Sequence, residues 1–205
     1  MDLTMSPFIL ETSRLLIRAF EPEDLPVVHR ILDQTFGDGS KVADEAALHE
    51  RRSWLEWSRL SAEWLPKMFQ PPYGDRAVVL KAGQTVIGAV GYVPCFDVFE
   101  QIPELQRGEP PSAYRVTEMG LFWTIDPQQQ RQGYATEAAQ ALIDFAFQQL
   151  RAKRLIATTE YDNIASQGVM RKLGMRLARN PQPDPPWLQV VGVLEHPQRD
   201  EAEHG

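Results

Sequence analysis

Two periodicities share this chain, an alternation of apolar and polar residues and a recurrence every three to four positions, and the changes between them mark strands and helices. Residues 14–20 read as a first strand, after which Glu21, Pro22, Glu23 and Asp24 supply the proline and acids of a helix's first turn. That helix is predicted to run to about residue 35. Phe36, Gly37, Asp38, Gly39 and Ser40 interrupt the pattern, and residues 44–65 resume it, with Leu48, Trp54, Leu55, Trp57, Leu60 and Trp64 at mostly helical spacing. Pro71, Pro72, Tyr73 and Gly74 break the chain before two β-rich runs, 76–81 and 85–93, whose connection Ala82, Gly83, Gln84 reads as a hairpin turn. Residues 94–112 hold Pro94, Pro103, Pro110 and Pro111 with no sustained period, and are expected to form an irregular insertion of the kind that covers sites. A strand at 113–125, a long helix at 133–150, a strand at 154–159 and a short helix at 164–173 stopped by Gly174 follow. Two closing strands, 175–179 and 187–194, flank a proline-rich turn. The order β-α-α-β-β-β-α-β-α-β-β predicts a mixed α/β (α+β) fold with helices on a partly antiparallel sheet.

Length and charge narrow the classes open to such a fold. At 205 residues, with no repeat and no compositional break, the chain is expected to be a single domain over 8–195, with 94–112 as its insertion and 196–205 as a charged tail that frays. Its 43% hydrophobic and 24% charged residues suffice for a core and exclude general disorder. The net charge of -7, with no dense basic cluster, argues against nucleic acid as a partner. Cys95 is the sole cysteine, so neither an internal disulfide nor a thiolate metal site can form. The first ten residues lack the basic and apolar regions of a secretory signal and no membrane-spanning run is visible, so a cytoplasmic location is expected.

Chemistry concentrates in residues 118–138, which read strand, polar loop, helix. Gln130-x-x-Gly133-x-Ala135 sits where the loop meets the helix. A helix start offers backbone N–H groups without intrahelical partners, and its dipole adds partial positive charge, so such a junction cradles anions. Gly133 leaves backbone uncovered for a diphosphate, Ala135 stays small in the first turn, and Arg131 adds a full charge. Ala135, Ala138, Ala139, Leu142 and Ala146 share one helix face, which equally describes a well-packed amphipathic helix after a turn.

Gln130, Gly133 and Ala135 match the diphosphate loop Gln/Arg-x-x-Gly-x-Gly/Ala, and the chain resembles the GNAT superfamily of acyl-CoA N-acyltransferases. It is most similar to the RimJ/RimL-like subgroup, the ribosomal-protein N-terminal acetyltransferases and their relatives. Three further segments resemble that subgroup: residues 11–18 leading to Pro22-Glu23-Asp24; Glu118-x-Gly120 followed by Phe122 and Trp123; and Asn163-x-x-Ser166 leading to Lys172-Leu173-Gly174-Met175. The likeness runs from about 8 to 194. It departs in the length of 94–112 and in Met175, where an aromatic residue is usual.

The resemblance implies a GNAT-like single domain with a central, mostly antiparallel sheet, flanked by helices, in which one parallel pair splays to admit the pantetheine arm of acetyl-CoA as an added strand. Transferred by position, the strand edge is the backbone around Trp123 and Ile125, which also carries the oxyanion donor, and the diphosphate belongs to Gln130, Arg131, Gln132, Gly133, Tyr134, Ala135 and Thr136. Glu118 is the candidate base, with its proton affinity raised by apolar neighbours, or else a solvent-facing or salt-bridged glutamate near a strand start. Ser166 is the candidate acid and Tyr161 the second choice. Asn163 is expected to hold pantetheine amides or to cap the helix that follows it. The implied activity is acetyl-CoA-dependent acetylation of a primary amine, on a protein N-terminus or a small molecule, without a metal and without a covalent enzyme intermediate. The alternative is a non-catalytic acyl-CoA-binding regulatory module, and a structural protein that binds nothing is the third reading. His49-Glu50-Arg51-Arg52-Ser53 lacks the second histidine of a zinc-protease helix, and Gly37-Asp38-Gly39 lacks the third glycine of a dinucleotide fingerprint. Trp54, Trp57 and Trp64 suit an acceptor pocket, a core or an interface, which leaves a homodimer open.

Overall fold

The computed structural model describes residues 8–106 and 110–197. The first seven residues, positions 107–109 of the insertion and the tail from 198 lie outside the described residues. Eight strands and four α-helices follow one another: β1 (Leu10–Glu11), β2 (Leu15–Arg18), α1 (Leu25–Phe36), α2 (Glu45–Lys67), β3 (Gly74–Leu80), β4 (Thr85–Asp97), β5 (Val116–Ile125), α3 (Tyr134–Gln148), β6 (Arg154–Thr159), α4 (Ile164–Lys172), β7 (Arg176–Arg179) and β8 (Val190–Glu195). They form two compact units, one from the residues up to Tyr92 with Phe122–Leu142, the other from Val93–Leu121 with the residues from Ile143 onward.

In the first unit the strand order is β1-β2-β3-β4-β5. Strand β2 runs antiparallel to β3, Leu15 opposite Leu80 and Arg18 opposite Ala77. The β3–β4 hairpin carries a bulge at Val78/Val79. Ala77, Val79, Val86 and Ala89 from the sheet meet Leu25, Val28 and Leu32 of α1 and Leu55 of α2, each buried, with Phe20 and Trp54 closing the cluster. Burying one such large aliphatic side chain contributes about 1.5–3 kcal/mol, which explains why α1 and α2 keep an apolar stripe toward the sheet. Their starts are built from acids. Asp24 accepts from Arg18 at 2.7 Å and from the Glu21 amide at 2.8 Å, fixing the turn from β2 into α1. Asp44 caps α2 by accepting from the Ala46 amide at 2.9 Å.

The second unit has the order β4-β5-β6-β8-β7. Strands β5 and β6 pair in parallel at Gly120 and Ile156, whereas β6–β8 and β7–β8 are antiparallel. A crossover through α3 makes the parallel pair possible, since a hairpin cannot join parallel strands. The irregular insertion expected at 94–112 is corrected in part. Pro94–Asp97 belong to β4, and two 3-10 turns, Phe99–Gln101 and Pro103–Leu105, follow. Phe99 and Ile102, three residues apart, are buried with Ile156, Leu188, Val191 and Val193, so this segment is core rather than cover. Met175 is buried too, with its sulfur close to the position a side chain on Gly192 would need. Among the described residues no helix is long and apolar enough to cross a membrane.

Candidate functional site

The loop from β5 to α3 lies in the first unit and is held at every step. Asp126 ends β5 with its amide on the Ile87 carbonyl at 2.8 Å, and its carboxylate accepts from the Gln128 amide at 2.9 Å and from Arg30 at 2.6 Å. Burial would raise the Asp126 carboxyl, but these bonds outweigh it and leave the group below its ordinary value. The Gln130 side chain donates to the Ile125 carbonyl at 3.1 Å, tying the loop back to the strand it leaves. Arg131 and Gly133 then take left-handed backbone, φ 63° and 85°. For Arg131 that conformation is strained by about 1 kcal/mol or more, and such strain persists where the surroundings enforce it.

Just beyond Arg131, the chain is braced by Arg14. Its Nη1 donates to the Gln132 carbonyl at 3.0 Å, its Nε donates to Glu137 Oε2 at 2.6 Å, and its guanidinium stacks 4.5 Å from the Tyr134 ring centre. Glu137 also accepts from the Arg14 amide at 3.0 Å and from the Thr12 hydroxyl at 2.5 Å. Burial raises the Glu137 carboxyl, but the bonds from Thr12 and Arg14 prevail and hold it below the usual range. The first intrahelical bond of α3 runs from the Glu137 amide to the Gly133 carbonyl at 3.0 Å. The N–H groups of Tyr134, Ala135 and Thr136 therefore precede the ladder, at a junction where residues 130–133 are exposed. An anion is suited to that place by the N–H groups, the helix dipole and the charge of Arg131. Arg14 and Glu137 were not among the residues singled out from sequence. Trp123 is half-buried and Ile125 buried.

Glu118, Tyr161, Asn163 and Ser166 lie in the second unit. Glu118 does not stand alone among apolar groups. Arg154 grips it with two prongs, Nε to Oε2 at 2.7 Å and Nη2 to Oε1, and the same guanidinium comes within 3.9 Å of Glu195. The hydrogen bonding of Arg154 to Glu118 leads in raising the guanidinium above its ordinary value, and burial only partly opposes it. Of the surroundings open to Glu118 from the sequence (apolar, solvent-facing or salt-bridged), the salt-bridged one is present. Gly120 follows it because Cys95 is packed against that position, its sulfur 2.4 Å from where a Cβ would stand. Burial, followed by the charges of Asp97 and Glu118, pushes the Cys95 thiol up to about 11, so it is not a thiolate nucleophile at neutral pH. The Tyr161 hydroxyl donates to the Asn180 carbonyl, and Arg179 stacks 3.8 Å from its ring centre. Asn163 caps α4, its Oδ1 accepting from the Ser166 amide at 3.0 Å. Among the described residues no group of three or more His, Cys, Asp or Glu side chains could hold a metal ion.

The family model described as acetyltransferase (GNAT) domain matches residues 14–176. Over 56 residues, 27% of this chain and 33% of the other, the chain is 46% identical to YnaD, an uncharacterized N-acetyltransferase of Bacillus subtilis (strain 168). The chain thus spans about a third of that curated relative. Among solved structures it is similar to the acetyltransferase from Agrobacterium tumefaciens str. C58, with TM-score 0.64 and 22% identity over 95% of this chain and 98% of that one. RimL, a ribosomal L7/L12 alpha-N-protein acetyltransferase in complex with coenzyme A, is similar at TM-score 0.58 and 15% identity, over 90% of this chain and 95% of that one. These two likenesses concern the fold. The family match covers most of the chain, including the strand, loop and helix start from Glu118 to Glu137, and by it the chain belongs to the GNAT acetyltransferase family.

Proposed function

We propose that the protein is an acetyl-CoA-dependent N-acetyltransferase that transfers acetyl directly to a primary amine, on a protein N-terminus or a small molecule. The observation that carries this reading is the junction opening α3: two left-handed residues, Arg131 and Gly133, aim the loop so that the first-turn N–H groups end it, and Arg14 braces it from both sides. A diphosphate matches that donor set in charge and number of acceptors. When bound, acetyl-CoA supplies the activated acetyl group as a thioester. Backbone N–H groups of Gln130 to Thr136 are assigned to its diphosphate and the backbone around Trp123 and Ile125 to its pantetheine arm, with Asn163 as a further contact. Glu118 is assigned to take the amine proton, and Ser166, or Tyr161, to return one to the leaving thiolate. The coenzyme A complex of RimL is consistent with the cofactor.

Titration calorimetry of acetyl-CoA into the parent and a Gly133→Glu variant tests the reading. Micromolar binding by the parent alone supports it, with thermal melting of both proteins as the control. Absence of heat and of any thermal shift with the parent would sink it. The ion pair between Glu118 and Arg154 favours one second reading, a regulatory module that binds acyl-CoA without turnover. That reading expects acetyl-CoA binding with no acetylation across a panel of amines, and no effect of Glu118→Gln on binding.

A further inference from the structure

Helix α2 carries two apolar faces where one would serve. Leu55 and Ser58 are buried toward the core, and Trp54 packs on Phe20 with ring centres 5.4 Å apart. On the outer side, Trp57, Leu60, Trp64 and Met68 recur at intervals of three and four residues, and each is at least half exposed, from 50% to 60%. Such a stripe leaves roughly 500 Å² of apolar side chain in water, near the upper end for a monomer's largest patch. The charges beside it are ordered as well. Glu56, Arg59, Glu63 and Lys67 follow one another along the helix, and Lys67 reaches Glu63 at 2.6 Å while resting 4.6 Å from the Trp64 ring centre.

We infer that this stripe docks a second copy of the chain through an antiparallel α2–α2 contact about a two-fold axis near Ser61. Charge decides the direction. A two-fold axis across two helices sets each flank against the same flank of its partner, reversed in order. Centred within one residue of Ser61, Glu56 meets Lys67, Arg59 meets Glu63 and Trp57 meets Trp64. In a parallel two-fold contact this flank would instead face the partner's opposite flank, at Ser61 and Leu65, and every one of these charges would be left without a charged partner. The apolar stripe alone offers about 60% of the roughly 800 Å² per partner of a standard interface. The paired tryptophans are the residue type that dominates such contacts.

Sedimentation and light scattering on the full chain, from low micromolar to several hundred micromolar, test the contact. The parent is expected to dimerise. A Trp57→Glu/Trp64→Glu variant should be monomeric with the parent's circular dichroism and melting curve, because both side chains are exposed. Lys67→Glu should weaken the dimer by about an order of magnitude, and adding Glu56→Lys should restore it, a rescue that a parallel contact would not show. A parent that stays monomeric throughout overturns the inference, as does a dimer indifferent to the double tryptophan variant.

Discussion

Gly88 has the tightest surroundings of the described glycines. A Cβ there would stand 2.1 Å from the Thr124 carbonyl and 2.9 Å from Ile125 Cδ1, on the strand that feeds the loop. Gly88→Ala is expected to destabilise the chain by about 2–4 kcal/mol, since the obstacle is backbone, and to weaken acetyl-CoA binding through displacement of residues 123–125. Urea denaturation and calorimetry measure the two effects. Arg14 gives a cleaner separation. Arg14→Ala removes a set of charge-assisted bonds at a partly exposed position, so acetyl-CoA affinity should fall by about five- to thirtyfold with little loss of melting temperature. Arg14→Lys should recover only part, because an ammonium lacks the fork that reaches Gln132 and Glu137 together. Equal affinity for parent and Arg14→Ala would remove Arg14 from the site. Nothing in the sequence around Arg14 announces this role: its amide and Glu137 are 123 residues apart in the chain. By contrast Gly133 could be singled out from the sequence, because it stands in a short local motif, Gln130-x-x-Gly133-x-Ala135, that needs no distant partner to be read.

Elements were legible where their own residues carry a sustained apolar period, whether or not that period is buried. Helix α1 and strand β6 show an apolar period long enough to read, and β6 occupies residues 154–159 as expected. Strand β1, two residues long, is specified by its pairing with β2 and by no pattern of its own. The end of β4 was hidden by Pro94, which removes a donor but not the strand's direction. Phe99 and Ile102 were hidden by the proline content around them, although their spacing is the signal of a buried turn. The cap of α2 offers a measurable element-scale quantity. Asp44→Ala should cost about 1 kcal/mol, read as a shift in denaturation midpoint, and Asp44→Ser should restore most of it.

For the molecule as a whole, the mixed α/β class and the family followed from segment order and from four short motifs. The division into two compact units did not, because β4, β5 and α3 each give residues to both and no linker composition marks the crossing. Stability against pH is likewise a sum that no motif reveals. Burial lifts the Asp75 carboxyl from 3.8 to about 6, with Arg76 and Arg51 only partly opposing it. The folded chain therefore holds that proton more tightly than the unfolded chain, and this group's contribution to stability declines as pH rises through that interval. Asp126 and Glu137, both lowered, act in the opposite sense and lose their contribution as pH falls through their folded values. An Asp75→Asn variant isolates the first effect. Relative to the parent it should gain on the order of 2 kcal/mol between pH 4 and pH 8, measured by denaturant unfolding at several pH values. A difference that stays flat with pH would show that Asp75 is as wet as an ordinary surface acid.

The clamp formed by Arg14, Thr12 and Glu137 makes the loop a property of tertiary structure rather than of its own residues. A fragment or circular permutant that begins after β2 would still spell Gln130-x-x-Gly133-x-Ala135 in full and would still register as a family member by that motif. Without the clamp, the left-handed backbone at Arg131 would keep only the loop's own ties, such as Gln130 on the Ile125 carbonyl, and the spelled motif would be a poorer ligand site. Recognition by spelling and competence to bind are separable in this chain, and the separation lies at its fourteenth residue.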